Sequence, residues 1–142
     1  MAPVHTLFTG ARAPGLYRLR SGVSDRSIEQ AAQAHGWHIA RVDGCTSRDK
    51  RSFIEAMGRA LHFPAYSATN WDAFEESLRD LGWLPQPGAV VICEAAACLP
   101  DDVATMARDI LAAAAESSPA RDKTLVVLFR HAGRTLPGVP WL

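Results

Sequence analysis

An α/β domain with a small parallel sheet is the fold class this sequence predicts, and three observations carry that reading. Short apolar runs, WHIARVDG (37–44), AVVIC (89–93) and TLVVLF (124–129), alternate with segments of helical period. The connections between them are short, as in α/β units. AVVIC and TLVVLF are continuously apolar rather than alternating, which is what a strand covered on both faces requires. About three strands packed with helices follow from this, together with an N-terminal strand and helix as an extension.

Each element has its own signal. GLYRLRSG (15–22) reads as a short strand with a turn at Ser21-Gly22. SDRSIEQAAQAHG (24–36) reads as a helix that Ser24 or Asp25 can cap and Gly36 can end. WHIARVDG is β-rich and closes on Asp-Gly. A second helix is expected from Ser47 to about Leu61, with Phe53, Ile54, Met57, Ala60 and Leu61 as its apolar stripe, and Pro64 stops it. A third helix begins near Asn70, with Thr69 as the expected cap and Asp72 completing a variant capping box. Placed 100° apart on a helix, Trp71, Phe74, Leu78 and Leu81 fall in one narrow arc, and Asp72, Glu75, Glu76, Arg79 and Asp80 fall opposite. An Ala-rich helix covers 101–117, with Asp101 and Asp102 at its N-terminal dipole. One domain is expected over 1–142, comprising an extension (1–36), a core (37–129) and a tail (130–142) with no assigned fold role.

The chain of 142 residues is long enough to bury a sizeable core, and nearly half of it is apolar. No apolar run approaches the ~18 residues of a membrane span, and the N-terminus lacks a secretory pattern. Cys45, Cys93 and Cys98 are odd in number and without CxxC spacing, which fits reduced thiols in a cytoplasm better than a disulfide framework. Thirteen of the fifteen basic residues are Arg, which together with the Ala-rich helices is associated with GC-rich bacterial genomes. The formal net charge is zero, yet residues 1–62 hold nine basic against five acidic residues, 63–118 two against nine, and 119–142 four against one. The acidic middle predicts a cationic partner.

Chemistry-bearing motifs are lacking. His5, His35, His38, His62 and His131 show no metal-ligand spacing, and there is no GxSxG, GxxxxGK[ST] or GxGxxG. No cofactor, metal or catalytic residue is therefore expected, and the chain reads as a binding protein rather than an enzyme. Direct nucleic-acid binding is not expected either. Arg12, Arg18, Arg20 and Arg26 make the N-terminus basic without interleaved aromatics, and the acidic centre repels phosphate.

The acids of the third helix are the informative feature. Asp72/Glu76 and Glu76/Asp80 are like charges four apart, each pair costing roughly 0.2–0.5 kcal/mol. The segment Phe63-Pro64-x-Tyr66, Asn70-Trp71-Asp72-Ala73 and Glu76 resembles, in order and spacing, the barstar family of intracellular inhibitors of small bacterial ribonucleases. The likeness extends more weakly from about Trp37 to Phe129. It implies a barstar-like fold in which the acidic helix and its neighbouring loop enter a cationic active site in place of an RNA backbone. Carried over, Tyr66 is an aromatic contact, Asn70 starts and orients the helix, and Asp72 and Glu76 are the central acids, flanked by Glu75 and Asp80. The implied partner is a small basic bacterial ribonuclease or related toxin, and the implied role is that of a cytoplasmic immunity protein in a toxin–antitoxin pair. Departures from the family pattern are Ser67-Ala68, where many members have an aromatic and Gly, Glu75 in place of an apolar residue, and Glu76 in place of Asp. They keep open the alternative of a barstar-like module that binds a different basic partner.

Overall fold

The structure, a computed structural model, describes residues 4–65, 67–118, 123–133, 136 and 138–142. In chain order the elements are α1 (His5–Thr9), β1 (Leu16–Arg18), α2 (Asp25–Ala34), β2 (His38–Asp43), α3 (Lys50–Ala60), α4 (Trp71–Asp80), β3 (Gly88–Glu94), a 3-10 turn (Ala96–Cys98), α5 (Asp101–Ser117) and β4 (Thr124–Phe129). The strands form one parallel sheet in the order β1-β4-β3-β2. Among the described residues there are four strands rather than about three, because β1 of the N-terminal extension pairs with β4 and becomes an edge of the sheet.

Both faces are covered, which explains the unbroken apolar runs. On one face Ala89, Val91, Cys93, Leu125 and Val127 pack against α3, α4 and α5 through Phe53, Met57, Phe74, Leu78, Leu111 and Ala115. On the other, Val90, Ile92, Val126 and Leu128 meet Leu7 and Phe8 of α1 and Ile28, Ala31 and Ala32 of α2. The short helix α1 has no strong sequence signal of its own. It exists by packing, since its Leu7 and Phe8 are buried.

The starts of α2 and α3 follow their caps. Ser24 accepts a hydrogen bond from the Ser27 amide and starts α2. Expected from Ser47, α3 begins at Lys50 instead, because the Asp49 carboxylate accepts from the Ser52 amide at 2.8 Å and fixes the first turn there. That hydrogen bond is also the main reason the Asp49 carboxyl titrates below its ordinary value.

One open point is filled and one expectation is corrected. The tail has a fold role: the Arg18 amide donates to the Pro140 carbonyl at 2.7 Å and the Leu142 amide to the Arg18 carbonyl at 2.9 Å, so it runs beside β1 and buries Leu136 and Leu142. The cysteines are not three free thiols, since Cys45 and Cys98 form a disulfide and only Cys93 is free. The parallel pairing of β2 and β3 sets Asp43 beside Glu94, and the 3-10 turn then carries Cys98 back to Cys45, with their Cα atoms 4.9 Å apart. Residues 53 positions apart in sequence meet only because two strand ends are in register.

Candidate functional site

The acidic helix is held by what surrounds it. Its cap is Asn70 rather than the expected Thr69, with the Asn70 side-chain oxygen accepting from the Ala73 amide at 2.8 Å. Asn outranks Thr at this position, and Asp72 is left in the first turn, where the helix dipole favours an anion. Phe74, Leu78 and Leu81 are fully buried, as their arc requires, while Trp71 is half-buried against Phe53 and Phe74. Leu81 ends the helix in a left-handed conformation.

The preceding loop is pinned from below by aromatics. Phe63 packs against Phe74 and edge-on to Trp83, and the Trp83 indole N–H donates to the Leu61 carbonyl at 2.9 Å, tying the end of α3 to the chain beyond α4. Sequence reading quoted Phe63 in the motif without a positioning role and missed Trp83. Their signal was present as two aromatics just outside helical periods, but their meeting depends on the fold bringing the end of α3 to the residue beyond α4.

The proposed contact residues divide into two groups. Asp72 and Glu76 are exposed, and among the described residues neither has a hydrogen-bond or ion-pair partner. Glu75 pairs with Arg79 at 3.6 Å, one turn on, and Asp80 accepts from the Gly82 amide at 3.1 Å in the turn that closes the helix. Those two acids are thus partly committed within the chain. Tyr66 lies outside the described residues.

An open cleft of about 660 Å³ runs between the loop and the helix, lined by Pro64, Ser67, Ala68, Glu76, Asp80 and Trp83 among others. Arg79 also reaches it, so its rim is not uniformly negative. Its floor is tied by the Ser67 and Ser77 hydroxyls 3.5 Å apart. Such a cleft, with the apolar surfaces of Pro64, Ala68 and Trp83 beside the Glu76 and Asp80 carboxylates, accommodates a cationic side chain with an aliphatic stem. Among the described residues no group of His, Cys, Asp and Glu side chains could hold a metal ion, and no helix is long and apolar enough to cross a membrane. The lone thiol, Cys93, is pushed up to about 12, chiefly by burial and then by the Glu94 and Asp43 carboxylates. It is no nucleophile at neutral pH.

Among solved structures, the chain is similar to one in the structure of Drosophila ORC bound to AT-rich DNA and Cdc6, with a TM-score of 0.57 and 10% identity over 93% of this chain and 44% of that one. It is also similar to the crystal structure of Cdc6p from Pyrobaculum aerophilum, with a TM-score of 0.55 and 19% identity over 96% of this chain and 39% of that one. The chain spans less than half of either, and at such identity the likeness is one of fold alone. No curated protein matches the chain. A family model described as barstar (barnase inhibitor) matches residues 37–130, which run from the start of β2 to just past β4 and include the capped acidic helix with its loop and cleft. The chain therefore belongs to the barstar family.

Proposed function

We propose that this protein inhibits a small basic ribonuclease by inserting the N-terminal half of α4 and the loop before it into the enzyme's phosphate-binding cleft. The observation that carries this is the pair Asp72 and Glu76, exposed and without partners among the described residues on the helix that the family match includes, with Glu76 lining an open cleft. One turn apart on one face, the two carboxylates can each accept charge-assisted hydrogen bonds from arginines placed to hold successive phosphates. Their field also speeds encounter with a cationic partner. The action is steric and electrostatic blockade, not catalysis. Tyr66 supplies an aromatic contact from the loop, and Asn70 holds the helix start in place.

The reading makes the chain the immunity half of a bacterial toxin–antitoxin pair, acting in the cytoplasm. The Cys45–Cys98 bond weighs against a reducing compartment. Lysing cells directly into an alkylating agent and counting blocked thiols decides between the two.

The test of function is inhibition of a panel of guanyl-specific bacterial ribonucleases on a fluorogenic RNA at low salt, by wild type and by Asp72→Ala/Glu76→Ala. Stoichiometric inhibition by wild type alone is the expected outcome. Equal inhibition by both proteins rejects the surface. A second reading, a different basic partner, is favoured by the Ser67-Ala68 loop and by the Glu75–Arg79 pair, which together reshape the contact face. In that case a pull-down recovers a basic protein without ribonuclease activity, and the double variant still loses it.

A further inference from the structure

The N-terminal arginines lack interleaved aromatics in sequence, but the fold supplies one from the other end of the chain. The tail pairs with β1, and Trp141 bridges to Arg18. Its indole, 49% exposed, lies under two guanidiniums, with Arg18 at 5.7 Å and Arg20 at 5.4 Å from the ring centroid. Arg12 donates to the Trp141 carbonyl at 2.8 Å and stacks over Tyr17. Among the described residues, no carboxylate pairs with Arg12, Arg18 or Arg20. Arg130 and His131 across the same cleft differ. Arg130 is held by Asp25 and Glu94, and His131 faces Glu94.

Beside Trp141 is a cleft of about 330 Å³, lined by Arg18, Leu19, Ser21, Phe129, Arg130 and Trp141 among others; Arg20 does not line it but reaches the same indole from the flanking chain. The cleft sits at the carboxyl ends of β1 and β4. The volume lies at the lower end of the range for small-ligand pockets.

We propose that Trp141 and the cleft beside it bind one nucleotide unit of a single-stranded nucleic acid, with the base stacked on the exposed part of the indole and the phosphate held outside the cleft by Arg20, in the field of Arg18. The division of labour follows from the hydrogen bonds. Both terminal nitrogens of Arg18 already donate, to the Gly133 and Leu136 carbonyls, so Arg18 contributes charge and a fixed plane. Among the described residues, none accepts a hydrogen bond from the exposed Arg20 side chain. A half-open indole among unpaired guanidiniums is the composition of a stacking platform for unpaired bases. A duplex keeps its bases stacked and hides them. An acidic peptide would satisfy the cations and leave the indole unused. The site shares no residue with α4 and does not depend on the inhibitor reading.

The test is fluorescence anisotropy of an end-labelled single-stranded RNA of about 12 nucleotides titrated with the full chain. It is run at about 50 and about 200 mM NaCl with wild type, Arg20→Ala and Trp141→Leu. Both side chains are exposed, and unchanged melting temperatures show that the variants fold. We expect saturable binding that weakens with salt, falls roughly tenfold or more in each variant, and is weaker for the matching duplex. AMP and inorganic phosphate serve as competitors. Displacement by AMP but not by phosphate adds the free nucleotide as a source of the same unit, and displacement only by strands restricts the site to polymer. Absence of saturable binding at the lower salt overturns the proposal, as does binding unaltered in both variants. Tighter binding of a labelled poly-glutamate peptide with the same variant losses also overturns it, making the patch a protein-docking surface.

Discussion

Glu75 and Glu76 are adjacent in sequence and differ in what the fold leaves them to do. Glu75 is engaged by Arg79, while Glu76 faces the cleft unpaired. Hydrogen bonds to charged groups contribute about 1.5–3 kcal/mol, so Glu76→Ala should weaken the partner complex by roughly tenfold to a hundredfold. An exposed ion pair contributes about 0–1 kcal/mol, and Glu75→Ala should change affinity by less than about fivefold. Calorimetry on the two single variants checks this ranking, and equal losses would discard it. Cys93 makes a different prediction. Its ordinary value is 9.0 and in the fold it is pushed up to about 12. Across that window the unfolded chain releases the thiol proton while the folded chain retains it, so stability falls as pH rises. Cys93→Ala removes this contribution, and the gap in urea midpoint between variant and wild type should shift in the variant's favour above pH 9.0. A gap independent of pH would mean that the thiol titrates normally.

At the scale of elements, the Cys45–Cys98 bond encloses α3, the loop, α4 and β3, which is to say the whole candidate contact surface. Closing a loop across a sequence separation of 53 residues removes chain entropy from the unfolded state, corresponding to about 4 kcal/mol. The joined ends are already close without it. The Gly44 amide donates to the Glu94 carbonyl at 2.8 Å, and a Cβ at Gly44 would stand 2.5 Å from the Ala95 carbonyl oxygen. Reduction should therefore lower the melting temperature markedly yet leave the folded arrangement, and the circular dichroism spectrum, unchanged. Cys45→Ser/Cys98→Ser should melt with the reduced wild type. Should reduction leave the melting temperature where it was, the bond does not form in solution.

For the whole molecule, the family match begins at residue 37, but the sheet does not end there. Val90, Ile92, Val126 and Leu128 are completely buried, and what covers them comes from α1, α2 and the C-terminal Leu142. We propose that residues 1–36 are an integral layer of one domain rather than an appendage. Each of these side chains returns roughly 1.5–3 kcal/mol on burial, so a chain lacking 1–36 exposes several at once beside an unpaired β4 edge, and should aggregate. Light scattering on the 37–142 fragment tests this, and a soluble monomer with the melting temperature of the full chain would refute it. Folding also sorts charge. The basic first and last segments meet along β1, β4 and the tail, while the acids of α4 remain on a separate helix.

The sequence by itself determined the elements whose signals are local. The Ala-rich helix and the final strand appear at their expected bounds, 101–117 and 124–129, because period and composition are properties of neighbouring residues. The acidic face of α4 was legible for the same reason, as was its motif. Tertiary structure decided everything that depends on strand order. The parallel register of β2 with β3 brought Cys45 to Cys98, the pairing of β1 with β4 added a fourth strand, and the returning tail set Trp141 beside Arg18 and Arg20. The difference between Glu75 and Glu76 belongs with the local signals, since Glu75 has Arg79 four residues on along the same helix while Glu76 has Asp80 there. Contacts between residues distant in the chain carry no local trace, because the chain entropy spent in closing them is recovered only when the whole sheet assembles.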